Sequence, residues 1–310
     1  MSKVILLSFV VFLCGITAVS AQLSMQKTGE GILITENKKE VLLYRTTPKS
    51  MNGEYERTNY IHPLYSLNGK VLTEDFPSDH PHHRGIFWAW HQLWIGEQRI
   101  SDGWELKDFE QTLTEVEFMK NPSGIVEIKT EVEWKSEKWK KKGEKVPYLQ
   151  EKASITVHPT TGNVRKIDFE IHLLALEKGL KLGGAENEKG YGGFSVRLDL
   201  PKDVAFAGPN GKIEPQETAV PSNGYVQVSG SFDPEKKESG VVMVDHTENP
   251  GYPQPWILRA KNSMQNAVWP GREAVAVSTD EPVVLKYSLL VYQGKMNKNK
   301  IEKIMGRSCP

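Results

Sequence analysis

Cysteine is nearly absent from this chain: there are two in 310 residues, Cys14 and Cys309. Cys14 lies in an apolar N-terminal stretch and Cys309 is penultimate, so no internal disulfide staples the rest and the fold relies on its core. Net charge is absent as well. Lysine plus arginine number 39 and aspartate plus glutamate 39, which excludes a global field that would recruit nucleic acid. Beyond residue 21 no apolar run approaches the roughly 20 residues that a membrane-spanning helix needs. Helical periodicity is almost missing, and the tail Lys298 to Met305 is the one helical pattern of note. There is no internal repeat, no long linker and no phosphate-binding Gly-Lys-Ser/Thr element.

What is present begins with a signal peptide over residues 1–21. Lys3 supplies the positive end, Val4 to Cys14 the apolar run, and Val19-Ser20-Ala21 the small residues of a cleavage site before Gln22. Leu13 stands before Cys14 where a lipoprotein carries a small residue. The mature chain is therefore expected to be exported, in the periplasm or outside the cell, with residues 22–310 as a single catalytic domain.

The dominant period in the mature chain is two. Ile32, Ile34 and the run Glu40 to Arg45 suggest an opening hairpin. Alternation continues in Ile125 to Trp134, Ala153 to Val157 and Lys166 to Leu173, where Ile167, Phe169, Ile171 and Leu173 share one face. Further strands are expected over Phe194 to Leu200, Val241 to Asp245, Trp256 to Ala260, Ala274 to Ser278 and Val283 to Tyr292. Turn signals such as Asn121-Pro122-Ser123-Gly124 and Pro209-Asn210-Gly211 separate the strands. The Lys-rich stretch Lys135 to Lys145, broken by Glu137 and Glu144, reads as a solvated hairpin tip. Strands at short intervals without intervening helices predict an all-β fold, a large antiparallel β-sandwich with a short C-terminal helix.

The densest set of chemical side chains is Asp79-His80-Pro81-His82-His83-Arg84-Gly85, followed by an aromatic run with Trp88, Trp90, His91 and Trp94. An imidazole serves as base, acid or metal ligand. Arg84 offers a planar fork for a carboxylate, and the indoles offer faces for sugar rings. In an extended chain His80 and His82 would point one way and His83 the other. A glycine-rich loop, Gly183 to Gly193, carries Glu186, Glu188 and Tyr191, whose phenol is a proton donor for a leaving oxygen. Asp245 to Pro253 adds His246 at a strand end, with Trp256 and Arg259 beyond it, and Trp269-Pro270-Gly271-Arg272-Glu273 is a fourth candidate. His62, His158 and His172 each stand alone and read as structural.

Tyr60-Ile61-His62-Pro63-Leu64-Tyr65, Asp79-His80-Pro81-His82-His83-Arg84-Gly85, Lys189-Gly190-Tyr191-Gly192-Gly193 and Tyr287 to Gly294 together resemble a family of exported bacterial proteins catalogued as methane oxygenase PmoA-like. A membrane monooxygenase subunit would need several apolar helices, which this chain lacks. What the resemblance implies instead is a mutarotase-like β-sandwich associated with polysaccharide breakdown. His80, His82, His83, Arg84 and Tyr191 are its matched residues.

Histidine, arginine and tyrosine without an obvious pair of glycosidase carboxylates point to elimination rather than hydrolysis. The expectation is a carbon–oxygen lyase, an oligosaccharide dehydratase or lyase, acting on uronic-acid oligosaccharides. His82, His83, Tyr191 and His246 are the expected catalytic residues. His80, Arg84, Trp88, His91, Glu186, Trp256, Arg259 and Arg272 are expected to bind substrate. A divalent metal held by two of the clustered histidines with His62 or His246 is a further candidate feature. A non-catalytic sugar-binding module and a mutarotase or epimerase are the readings from other classes, and a His-ligated metal oxygenase is a weaker one, because His-Pro-His-His lacks a carboxylate at facial-triad spacing unless Asp79 serves.

Overall fold

The computed structural model describes residues 22–232, 238–261 and 264–306. The expected signal peptide, Cys14 and Cys309 lie outside the described residues. Strand makes up 52% and helix 3%, so the chain is all-β as its alternation predicts. An eight-stranded sheet runs in the order Leu23–Lys27, Gly31–Glu36, Lys39–Arg45, Tyr60–Leu64, Ile86–Ala89, Gly193–Val196, Gln265–Ala267, Trp256–Ile257. A nine-stranded sheet runs Glu110–Lys120, Val126–Lys135, Leu149–Val157, Val164–Ala175, Val283–Gln293, Ser239–Asp245, Tyr225–Gly230, Ala205–Gly208, Gly211–Ile213. A smaller four-stranded sheet joins Val275–Ala276, Leu180–Gly183, Gln92–Ile95 and Gln98–Ser101.

The opening hairpin forms as the pattern predicts, with Ile34 opposite Leu42. Its turn places Asn37 and Lys38 at φ +50° and +68°, the left-handed pair that a tight hairpin requires. Val164–Ala175 alternates buried and half-buried positions along its length, with Ile167, Phe169, Ile171 and Leu173 at 2% exposure or less. Asp168, Glu170 and His172 take the other face. The two large sheets pack through these apolar faces. Phe194 of the eight-stranded sheet stacks on Tyr287 at 4.5 Å and meets Phe169 edge-on at 5.0 Å, both from the nine-stranded sheet. One apolar cluster runs through both sheets, as in a sandwich. The Lys-rich tip is a two-stranded ribbon of Lys140–Lys141 and Glu144–Lys145, with Lys140 paired to Glu137. The tail forms the helix Lys298–Ile304, capped by the Asn297 side chain, and buries Ile301.

The eight-stranded sheet is covered on its second face too, and this positions the site. In Ile86–Ala89 all four residues are buried. Ile86 and Trp88 enter the core between the sheets, whereas Phe87 and Ala89 join Tyr60, Trp104, Ile257 and Met264 in a separate apolar cluster. Loops fold over that second face and carry the candidate chemistry.

Candidate functional site

His80, Pro81, His82 and His83 form a turn rather than an extended segment. His83 N–H donates to the His80 carbonyl at 2.9 Å, with Pro81 at the position whose fixed φ favours a turn. The alternation expected of an extended chain is therefore lost, and all three imidazoles gather in one place. His80 and His83 stack at 4.6 Å and 3°, and His82 stands edge-on to His83 at 4.6 Å. Gly85 then turns the chain into its strand at φ +60°. A Cβ there would meet the Ile61 carbonyl oxygen at 2.1 Å, so glycine is required.

The trio lines a cavity of about 380 Å³ with Trp104, Glu105, Lys189, Tyr191, Arg259 and Lys261, over a floor of Ile257 and Met264. Asp102 builds one wall. Its Oδ1 accepts from the backbone N–H groups of Trp104 at 3.0 Å and Glu105 at 2.9 Å. Its Oδ2 binds His91 Nδ1 at 3.0 Å and Arg99 at 3.1 Å. Arg99 also donates to Glu186 at 2.8 Å, which ties this wall to the glycine-rich loop. That loop is fixed where it doubles back: Ala185 N–H donates to the Tyr191 carbonyl at 2.8 Å, and a Cβ on Gly184 would meet the Gly190 oxygen at 2.1 Å. Tyr191 packs edge-on against Trp104 and His91, each at 5.0 Å. Arg259 also lines the cavity and is held by the carbonyls of Gln216, Leu258 and Glu217 at 2.6–2.8 Å.

Electrostatics divides these groups. Burial, reinforced by the charges of His80, Arg57 and His91, lowers His82 to about 4. Burial and the neighbouring His82, His80 and Arg197 push His83 far below the imidazole range. Both rings are neutral at pH 7. Burial raises the Tyr191 phenol, and the carboxylates of Glu105 and Asp102 raise it further, so its O–H is intact. Glu105 is the carboxylate lining the cavity, 3.7 Å from His82 Nε2. Among the described residues Lys189, Arg259 and Lys261 make no ion pair. Neutral proton-transfer groups and cations without ion pairs among the described residues thus line one cavity.

The chain belongs to DUF6807. This family of unknown function matches over residues 32–306, a range that contains every residue of the cavity. No curated protein matches.

Several expected site residues lie elsewhere in this DUF6807 chain. Arg84 is fully buried, with Nε on Asp75 at 2.5 Å, Nη1 on the Tyr55 carbonyl at 2.7 Å and its guanidinium over the Phe76 ring at 3.6 Å. It anchors the loop and cannot clamp a ligand. Trp88 and Trp256 are core residues, 2% and 0% exposed. His91 stands behind Tyr191 and Trp104, held by Asp102. Glu186 pairs with Arg99, and the exposed Arg272 side chain pairs loosely with Glu273. His246 bonds Ser288 at 2.9 Å on the open face of the nine-stranded sheet. That face forms a larger hollow of about 560 Å³, where Lys129, Lys152 and Lys286 are paired with Glu127, Glu131 and Glu170. Glu115 and Glu117 also line it and have no ion pair among the described residues.

The metal set does not assemble. His62 bonds Thr73 through Nδ1 at 3.0 Å, His246 is on the other sheet, and the parallel rings of His80 and His83 cannot converge on one ion. Among the described residues no group of three His, Cys, Asp or Glu is arranged to hold one. Sequence reasoning missed Trp104, Glu105, Lys261, Asp102 and Arg197. Only Arg197 had a usable signal, as a charge between Val196 and Leu198 in the expected strand Phe194 to Leu200.

Proposed function

We propose that the protein is an exported carbon–oxygen lyase that acts by β-elimination on uronate-containing oligosaccharides, as a dehydratase or a lyase. The observation that carries this reading is the make-up of the cavity. Neutral imidazoles and a protonated phenol line it together with Lys189, Arg259 and Lys261, which have no ion-pair partners among the described residues. The cations hold the uronate carboxylate and favour the charge that grows on it as the adjacent C–H is broken. An imidazole of the trio takes that proton. The electron pair left behind forms the ring C=C bond, the neighbouring C–O bond breaks, and the departing oxygen leaves with the Tyr191 proton. The oxygen leaves as water in a dehydratase and as a sugar hydroxyl in a lyase. A hydrolytic reading is weakened because Glu105 is the one carboxylate among the described residues that line the cavity, whereas glycosidases need two placed carboxyl groups.

The test is ultraviolet absorbance of the new double bond conjugated to the carboxylate, followed during incubation with a panel of oligouronates. Rising absorbance on an acidic oligosaccharide supports the reading. Binding without a chromophore would assign the cavity to a sugar-binding module, and anomer exchange without a chromophore would assign it to a mutarotase.

A further inference from the structure

Arg197 follows the strand Gly193–Val196 and is 1% exposed. Its Nε binds Glu74 at 2.6 Å, and its two terminal nitrogens bind Asp79 at 3.1 and 2.8 Å. Nη1 also lies 3.3 Å from His83 Nδ1. A guanidinium only donates, so His83 Nδ1 must accept. A neutral imidazole has one N–H, which places the His83 proton on Nε2. The neighbouring ring is held the other way round. Asp79 Oδ2 lies 2.7 Å from His80 Nδ1. Burial alone would raise the Asp79 carboxyl, but the hydrogen bonds from Arg197 and His80 outweigh it and keep Asp79 ionised. A carboxylate only accepts, so His80 Nδ1 carries a proton, and the neutral form of the ring has its lone pair on Nε2.

The two rings lie parallel at 4.6 Å on the same cavity. We propose that Arg197 and Asp79 lock His80 and His83 in opposite tautomers, making His80 the base and His83 a fixed N–H donor to the carboxylate. Arg197 and Asp79 are positioning residues in this scheme. The assignment of roles rests on the elimination reading; the assignment of tautomers does not. It also explains why three adjacent histidines are not interchangeable. His83 has its Nδ1 lone pair engaged by Arg197 and cannot take a proton from carbon, while His80 is backed by a carboxylate that stabilises the imidazolium it would become.

The experiment has a spectroscopic and a kinetic arm. Long-range proton–nitrogen correlation spectra of the protein labelled with 15N-histidine, with His80→Gln and His83→Gln used for assignment, report which ring nitrogen carries the proton. The expected result is Nδ1–H for His80 and Nε2–H for His83 at neutral pH. Asp79→Asn should move the His80 pattern and leave the His83 pattern in place. The same tautomer at both positions overturns the proposal. On an oligouronate that the protein turns over, His83→Gln, which returns an N–H near Nε2, should exceed His83→Ala by about tenfold or more. His80→Gln should be no faster than His80→Ala, both about two to four powers of ten below the native rate. The reverse pattern overturns the roles. If no oligouronate is turned over, it is the elimination reading that fails, and the spectra still decide the tautomers.

Discussion

Arg84 Nε lies 2.5 Å from Asp75 Oδ1, and neither side chain is more than 5% exposed. The pair sits beneath the histidine loop, where Arg84 also donates to Tyr60 Oη at 2.5 Å and to backbone carbonyls. Removing the arginine would leave Asp75 buried with Lys49 as its remaining ion-pair partner. Arg84→Met should therefore destabilise the fold by about 3–5 kcal/mol, the range for breaking a buried pair. Urea denaturation measures it. A stable Arg84→Met protein with weakened substrate binding would return Arg84 to the site.

The contrast with Lys189 and Lys261 is direct, since these side chains line the cavity and no carboxylate holds them. Lys189→Met and Lys261→Met should each raise KM for an oligouronate about two- to fivefold and leave stability near native, as befits exposed charges. The double variant should also flatten the dependence of KM on salt, because screening acts on these same charges. Initial rates at two ionic strengths check both statements. Unchanged KM in the double variant would remove the cations from carboxylate recognition.

Two sets of buried groups should act on stability with opposite pH dependence. Burial lowers His62 and His82 to about 4 and His83 further, so the unfolded chain binds protons that the folded one does not. Their contribution is complete above the ordinary imidazole pKa near 6.5 and is lost as pH falls towards 4, by at most about 3 kcal/mol each for His62 and His82. Glu151 acts the other way. It is fully buried between Asn59 Nδ2 at 2.7 Å and Trp134 Nε1 at 2.9 Å, and burial raises its carboxyl to about 7. Its protonated form stabilises the fold below its unfolded pKa of about 4.5, and that contribution is lost as pH rises through 7. The three histidines outweigh the single carboxyl in this window, so urea midpoints should rise from about pH 5 to about 7 and level off above it, and Glu151→Gln, neutral at every pH, should steepen the rise. An unchanged slope in Glu151→Gln would show that Glu151 stays ionised in the fold.

Much of the sandwich is legible in the sequence because burial on one face of a strand writes a period of two. Ile167, Phe169, Ile171 and Leu173 show it without ambiguity, and the hairpin from Gly31 to Arg45 follows from the same rule. That the histidine trio and Tyr191 stand on loops was also legible, since dense polar chemistry beside glycine and proline marks a loop that the scaffold holds. The roles were not. Arg84 and Arg197 are the same residue type in similar apolar company, and only coordinates show that one anchors a turn on Asp75 and the other reaches an imidazole. Nor does sequence separation show that Lys261 and Glu105 share a cavity with His82, while His246, at the end of an apolar strand, faces the open side of the other sheet. Which face a strand end presents is fixed by sheet order, a long-range property that local pattern does not encode.

Tyr191 is the residue on which the elimination chemistry turns. Its ring is pinned edge-on between His91 and Trp104, and its loop is closed by the bond from Ala185 N–H to the Tyr191 carbonyl. Burial and the carboxylates of Glu105 and Asp102 keep the phenol protonated, which suits a donor to an oxygen that leaves as an anion. Tyr191→Phe keeps the ring contacts and removes only the proton. It should lower turnover on an oligouronate by about two to four powers of ten, while KM stays within a few-fold and the urea midpoint is unchanged. A substrate whose leaving oxygen departs easily without protonation, such as a uronate bearing a phenol ether at C4, β to the carboxylate, should recover most of the lost rate in the same variant. That rescue separates a proton donor from a residue that merely shapes the cavity. Equal losses on the two substrates would mean that Tyr191 orients the sugar. The proton would then have to come from His82, which stands across the cavity with Glu105 at 3.7 Å.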